Sequence, residues 1–211
     1  MDKDFVYNNS IILIGPVGVG KSTISDALVN VLGMPQISMD DMRKIYYPRY
    51  GFNKEQSDKL LKQDPKLWLM YQKQFEIKMV EEVLGKLTEP AVIDFGASQA
   101  HYFDNANKNK VAELLKPFNH VVSLEYPSVA LEYAETKPLN KNLFLKTDQF
   151  EKLAKYSFVC DIYSEQVGGG IKLDNNGNAV LNSAKINRLA YAMIDRYRLM
   201  QYANSVKEKN M

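Results

Sequence analysis

Cysteine is nearly missing from this chain: of 211 residues only Cys160 is one, which excludes an intrachain disulfide and any zinc site built on cysteine. A reducing compartment, the cytoplasm, is therefore expected. Long hydrophobic runs are missing as well. The apolar run at Ile11 to Ile14 is too short for a secretory h-region and far too short to span a bilayer, so neither export nor membrane anchoring is expected. Strong net charge is the third absence. The 27 basic and 25 acidic residues leave a formal charge of +2, too little to recruit nucleic acid or an anionic membrane through a net field. Phosphate recognition, if any, must be local. Internal repeats, low-complexity tracts and an evident domain linker are also lacking.

The composition that remains, 45% hydrophobic and 25% charged, is that of a globular protein, and the length suits one domain over residues 1–211 with a real core. Ile11-Ile12-Leu13-Ile14 is continuous, rich in β-branched residues and stopped by Gly15, the pattern of a strand buried on both faces as in a parallel sheet. From Lys21 onward Ile24, Ala27, Leu28, Val31 and Leu32 recur at helical spacing, and Gly33 stands where a helix C′ residue belongs. Further strands are predicted at Gln36–Ser38, Ala91–Asp94, His120–Leu124 and Tyr156–Cys160, with helical patterns between most of them, which implies a parallel α/β sheet.

Asn53 and Asp64-Pro65 mark helix starts, and Trp68, Tyr71, Phe75, Met79 and Val83 form one face of a long helix, read as core. Val111, Leu114 and Leu115 suit a helix ended by Pro117, and a short one begins at Ser128. Later, Gly168–Gly170 and Asn175–Asn178 flank an alternating Ile171-Lys172-Leu173, which fits a small hairpin or a surface loop equally well. Ile186, Leu189, Ala190, Met193, Tyr197 and Met200 define a C-terminal amphipathic helix, so hairpin or loop plus helix occupy about 166–204.

Gly15-Pro16-Val17-Gly18-Val19-Gly20-Lys21-Ser22 completes the pattern G-x-x-x-x-G-K-[ST] between a strand and a helix. Such a loop turns its backbone N–H groups inward and has the positive end of a helix behind it, so it cradles phosphate. Gly15 through Thr23 are the candidate nucleotide cradle. Lys21 is suited to reach β- and γ-phosphate oxygens, and the Ser22 hydroxyl to ligate the Mg2+ that bridges them. A dinucleotide site is disfavoured, because G-x-G-x-x-G needs glycine where Thr23 stands.

Ser38-Met39-Asp40-Asp41 falls at the end of the second predicted strand, the edge where open α/β sheets bind ligands. A carboxylate there can accept the proton of an attacking hydroxyl or help to hold magnesium. The other reading is that Asp40 or Asp41 caps the helix through Met42-Arg43-Lys44. Ile93-Asp94-Phe95-Gly96-Ala97-Ser98 ends a strand in an acid, as a Walker B aspartate does to reach magnesium or its waters, with Gly96 and Ala97 letting substrate come close. The bland alternative for Asp94 is a turn-opening aspartate. His101 is read as a solvated loop histidine.

Lys137 through Lys146 follow the fourth strand as either a lid over about 136–150, with Lys137 closing on the phosphates, or a solvated basic loop. Arg43 and Arg49 are the candidates for gripping an anionic acceptor, since a guanidinium fork suits carboxylate or phosphate.

In this order the motifs resemble those of P-loop small-molecule kinases, the shikimate kinase-like and AAA-type ATP-binding group, over roughly Ile11 to Glu165. The resemblance implies a three-layer α/β P-loop NTPase fold of the nucleoside monophosphate/shikimate kinase type. That fold has a five-stranded parallel sheet and acceptor-covering helices at about 40–88. It implies Asp40 at the base position, with Ser38 standing where the family has its first aspartate. The turn at Asp94-Phe95-Gly96-Ala97-Ser98 keeps one of the family's glycines, and Lys137-Pro138-Leu139 is similar to its lid motif with lysine in place of arginine.

The implied activity is transfer of the γ-phosphoryl of ATP, with Mg2+, to a hydroxyl of a small polar or anionic metabolite. The implied partners are ATP or ADP and that acceptor, bound by a monomer or homodimer. A nucleoside or nucleotide kinase, a kinase acting on a sugar nucleotide, and a module that binds or hydrolyses ATP without an acceptor remain alternatives. A GTPase does not fit, since Asn140-Lys141 is followed by Leu143 where its guanine reader needs aspartate.

Overall fold

A computed structural model describes residues 2–137, 139–140, 144–145, 148–160, 171–173, 179–181, 184 and 186–196. Its centre is β1 (Ile11–Ile14), buried at all four positions. The pleat sends Ile12 and Ile14 to one face and Ile11 and Leu13 to the other, where they join two separate cores. Each such side chain contributes about 1.5–3 kcal/mol on full burial, which explains why an uninterrupted apolar run occupies this strand.

Around β1 lie β2 (Gln36–Ser38), β3 (Val92–Asp94), β4 (His120–Glu125) and β5 (Tyr156–Val159), all parallel, in the order β2-β3-β1-β4-β5. Sequence-consecutive β1 and β2 are therefore not neighbours. The chain crosses from the central strand to the edge and returns beside it, and at such a divergence a crevice opens at the carboxyl ends of the strands.

One face is covered by α1 (Lys3–Asn9), α3 (Met39–Arg49), α5 (Pro65–Gly85), α6 (Asn105–Leu115) and α8 (Asp148–Leu153). The other is covered by α2 (Lys21–Leu32), α7 (Leu131–Glu135) and the helical residues 186–196. The expected three-layer α/β fold with a five-stranded parallel sheet is thus present. The caps agree with the sequence pattern. Gly33 ends α2 at φ 65°, Asn53 accepts from Gln56 N ahead of α4 (Lys54–Gln63), and Asp64 accepts from Lys66 N with Pro65 in the first turn of α5. Phe75, Met79 and Val83 are buried, with Trp68 and Tyr71 packed at the edge of the same core.

Two readings change. Val31 is 36% exposed, whereas Ile24, Ala27 and Leu28 of α2 are buried in the core and Val29 and Leu32 pack at its edge. The segment open between hairpin and loop is a hairpin, with β6 (Ile171–Leu173) antiparallel to β7 (Ala179–Leu181). Gly168–Gly170, Asn175–Asn178, Tyr197 and Met200 lie outside the described residues. Among the described residues no helix is long and apolar enough to cross a membrane.

Candidate active site

The chain leaves β1 through Gly15 at φ 141°, where a Cβ would lie 2.5 Å from the Leu124 carbonyl oxygen of β4. Only glycine passes so close to the neighbouring strand. The loop then closes on Gly20, the N-cap of α2, which supplies no capping side chain, and the positive helix end borders the cleft. Lys21 is buried, and its Nζ donates to the carbonyls of Gly15 (3.1 Å) and Pro16 (2.7 Å). Burial pulls its pKa below the ordinary lysine value, against the attraction of Asp94 and Asp40.

Parallel register assembles the rest. Leu13 of β1 and Ser38 of β2 both pair with Asp94 of β3, so the loop, Asp94 and the segment after Ser38 emerge side by side. Ser22 Oγ donates to Asp94 Oδ2 at 2.6 Å. Burial raises the Asp94 carboxyl above its usual range, outweighing the Ser22 bond and the Lys21 charge. A buried carboxylate that its own neighbours leave under-compensated, touching a hydroxyl beside a phosphate loop, fits a magnesium ion. Among the described residues no group of three or more His, Cys, Asp or Glu gathers to hold a metal alone, so Ser22 and Asp94 would hold it together with nucleotide phosphates, as Mg2+ commonly is held.

These groups line one cleft of about 300 Å3, bounded by Val17, Gly18, Gly20, Lys21, Ser22, Thr23, Asp40, Asp94, Gly96 and Ala97. Two loop residues point elsewhere: Val19 is fully buried in the core, and Pro16 lines a separate cavity of about 220 Å3 at the end of β4.

Neither aspartate at the start of α3 is its N-cap. Ser38 is, its hydroxyl accepting from Asp41 N at 3.3 Å, while Asp41 pairs with Lys44 on the surface. The capping reading is thereby corrected, because Ser38 occupies the non-helical position that the role requires. Asp40 faces the cleft with its side chain 64% exposed. Its Oδ1 accepts from Gln99 Nε2 at 3.1 Å and lies 3.3 Å from Arg43 Nη1. Both donors hold the same oxygen and leave Oδ2 for a ligand. A Cβ on Gly96 would lie 2.7 Å from that Oδ1 and 2.3 Å from Gln99 Oε1, so the space glycine frees here is taken by the Asp40–Gln99 contact.

Beneath Asp40 is a buried polar cluster that sequence reading missed. Glu76 of α5, fully buried, takes Arg43 Nη2 at 2.6 Å on Oε1 and Lys73 Nζ at 2.6 Å on Oε2. Ser98, in the 3-10 turn Ala97–Ala100, donates its hydroxyl to Glu76, accepts from Arg43, and takes Lys73 on its carbonyl. The sequence signal was a Lys73-x-x-Glu76 pair next to an apolar stripe, which reads as an ordinary exposed i,i+3 pair without tertiary contacts.

Of the two arginines expected to grip an anion, Arg43 is thus tied to Glu76. Arg49 is exposed in the last turn of α3, over the Tyr46 ring at 5.1 Å. That is roughly 14 Å along the helix from Asp40 at 1.5 Å per residue, which is why Arg49 does not border the cleft. His101 is also corrected: it is half-buried, packed edge-on to Phe103 and Phe144, and burial lowers its pKa to about 4.

The segment expected as a lid reaches the loop. Lys137 runs beside Gly18, its ammonium over the Tyr133 ring at 4.6 Å, while Pro138, Lys141, Asn142, Leu143 and Lys146 lie outside the described residues. Asn140, buried at 2% exposure, accepts from Val17 N at 2.8 Å and donates to Val17 O at 2.7 Å, and Tyr126 Oη donates to the same carbonyl at 2.8 Å. One side-chain amide clamps both backbone polar groups of a phosphate-loop residue. Asn140→Ala is therefore expected to weaken Mg-ATP binding by roughly tenfold, as loss of paired buried hydrogen bonds does. Isothermal calorimetry checks this, and parent-like affinity would show that the clamp is not needed.

A family model described as AAA domain matches residues 11–140. Among solved structures, shikimate kinase from Acinetobacter baumannii in complex with shikimate is similar at 17% identity and a TM-score of 0.51, covering 91% of this chain and 94% of that one. Shikimate kinase from Bacteroides thetaiotaomicron is similar at 16% identity and a TM-score of 0.53, covering 90% and 98%. No curated protein matches the sequence. With its phosphate loop in residues 15–22 and the family match running from β1 through Asn140, the chain belongs to the AAA domain family and has the P-loop fold of shikimate kinase.

Proposed function

We propose that the protein transfers the γ-phosphoryl group of ATP to a hydroxyl of a small polar metabolite. The observation that carries this reading is a carboxylate, Asp40, in the same cleft as Lys21, Ser22 and Asp94, held through one oxygen with the other open to a ligand. A module that only binds nucleotide has no need of such a group.

In this reading the loop N–H groups and Lys21 hold the phosphates, and Lys21 balances charge on the transferring group. Magnesium, when bound, neutralises charge on the phosphate oxygens. The acceptor oxygen attacks the γ-phosphorus, the bond from that phosphorus to the β–γ bridging oxygen breaks, ADP leaves, and the acceptor's proton goes to Asp40 Oδ2. Arg43 and Gln99 keep Asp40 in register. Gly96 and Ala97 border the acceptor side.

Asp40→Asn keeps size and the Oδ1 contacts but removes the basic oxygen. Transfer to an acceptor found in a metabolite screen is expected to fall by about 10²-fold or more, with Mg-ATP affinity nearly unchanged by calorimetry. A rate within about threefold of the parent, well short of what losing a general base costs, would remove Asp40 from the chemistry.

A further inference from the structure

An acceptor's reacting hydroxyl must meet Asp40 beside Gly96 and Ala97. The charge of acceptor that fits there depends on which cations can turn toward it. Arg43 is the cation that touches Asp40, and its other nitrogen is bound to Glu76 and Ser98. Lys73, whose side chain is 6% exposed, is bound to the second oxygen of the same Glu76. One buried carboxylate thus holds both. Turning either cation toward a ligand would strip Glu76, at 0% exposure, of a partner it has no water to replace, and one new contact in an open cleft does not offset that loss. The other described cations once candidates for this region stand over rings, Arg49 on Tyr46 and Lys137 on Tyr133, and Lys21 belongs to the phosphate loop.

What faces the acceptor instead accepts hydrogen bonds. Asp40 Oδ2 is open at the cleft, and behind Gly96 the buried Gln99 Oε1 has no hydrogen-bond partner among the described residues. The cleft carries two carboxylates, Asp40 and Asp94, against Lys21; magnesium, when bound, would offset Asp94 and the phosphates, which leaves Asp40 as the charge that meets an acceptor. A second anion placed there meets like charge and no free cation among the described residues.

We propose that the acceptor is a polyhydroxyl compound without an anionic group, one that brings hydrogen-bond donors to Asp40 and no carboxylate or phosphate of its own. The inference rests on the phosphotransferase reading and narrows its substrate class.

The test uses the unmodified protein with Mg-ATP and a library of matched acceptor pairs that differ only in bearing a hydroxymethyl or a carboxylate group, sorbitol against gluconate among them. ADP release and the mass of the product are both read. The neutral member of the phosphorylated pair is expected to exceed its carboxylate partner in kcat/KM by about tenfold or more, the order set by uncompensated like charge at a binding site. An equal or better carboxylate partner overturns the charge inference and leaves the phosphotransferase reading standing. If calorimetry shows Mg-ATP bound and no member of any pair is phosphorylated, the phosphotransferase reading falls and the acceptor class falls with it.

Discussion

Lys21→Ala is expected to lower phosphoryl transfer by about 10²–10³-fold or more, the range that follows removal of one preorganised charge-stabilising donor. The side chain makes two bonds, both to carbonyls of its own loop, beside a cleft of about 300 Å3 that water enters. Water can serve those carbonyls once the ammonium is gone. Burial already works against the Lys21 charge, so its removal takes away a desolvation penalty together with the contacts, and the fold is expected to hold. Far-UV circular dichroism should match the parent.

Thermal shifts separate binding from chemistry. A ligand at about 100 times its Kd stabilises the native state by roughly 2.7 kcal/mol, and the variant should show a smaller gain with Mg-ATP than the parent. Transfer within about threefold of the parent, far less than loss of such a donor costs, would remove Lys21 from the phosphate site.

Glu76→Ala is expected to destabilise the protein by about 3–5 kcal/mol, the range for breaking a buried ion pair by removing one partner. The effect is large because two cations lose their counter-ion together. Arg43 and Lys73 both converge on this carboxylate, and Ser98 donates to it. Urea denaturation measures the loss directly, and melting should fall on the order of 10 °C for a chain of this size. Glu81→Ala is the control. Its partner Lys110 and Glu81 itself are about half exposed, and an ion pair of that kind contributes at most about 1 kcal/mol. Equal small losses in both variants would mean that the buried cluster is not a stabilising centre.

The pH dependence follows the same carboxylate. Burial pushes the Glu76 pKa up, but Lys73 and then Arg43 outweigh burial and bring it below the ordinary 4.5. A carboxyl whose folded pKa is depressed contributes stability that is present above the unfolded value and lost as pH falls through the folded one. The parent is therefore expected to lose this contribution only below about pH 4.5, the ordinary carboxyl range, and Glu76→Ala to show a flatter stability profile there.

Ile11 to Ser22 could be read without a structure because everything they require is local. A buried strand needs an unbroken apolar run, a phosphate loop needs glycines at set intervals, and a helix start needs only the next residues. The same holds for the caps at Asn53, Asp64 and Gly33, whose bonds reach two to four residues along the chain. Asp40 and Asp94 were identifiable as acids at strand ends for a similar reason. Arg43 was not readable in this way. Its type suggested a ligand-binding guanidinium, and only the packing of α3 against α5 brings Glu76, 33 residues on, to neutralise it. Gln99 carries no sequence pattern of its own, Lys73 only an i,i+3 spacing to Glu76 and Ser98 only its place after Asp94, and their roles come from three elements meeting under one strand edge.

Asn140 stands 123 residues from Val17, yet it bonds both backbone polar groups of that residue. Periodicity and motif spacing describe one face of one element, so the sequence alone determined the sheet, the loop and the two acids at its edge. Which charges are neutralised, which oxygen of Asp40 is left open and what clamps the loop were decided by the tertiary structure, because hydrogen bonds and ion pairs act over about 3 Å in space whatever their separation along the chain.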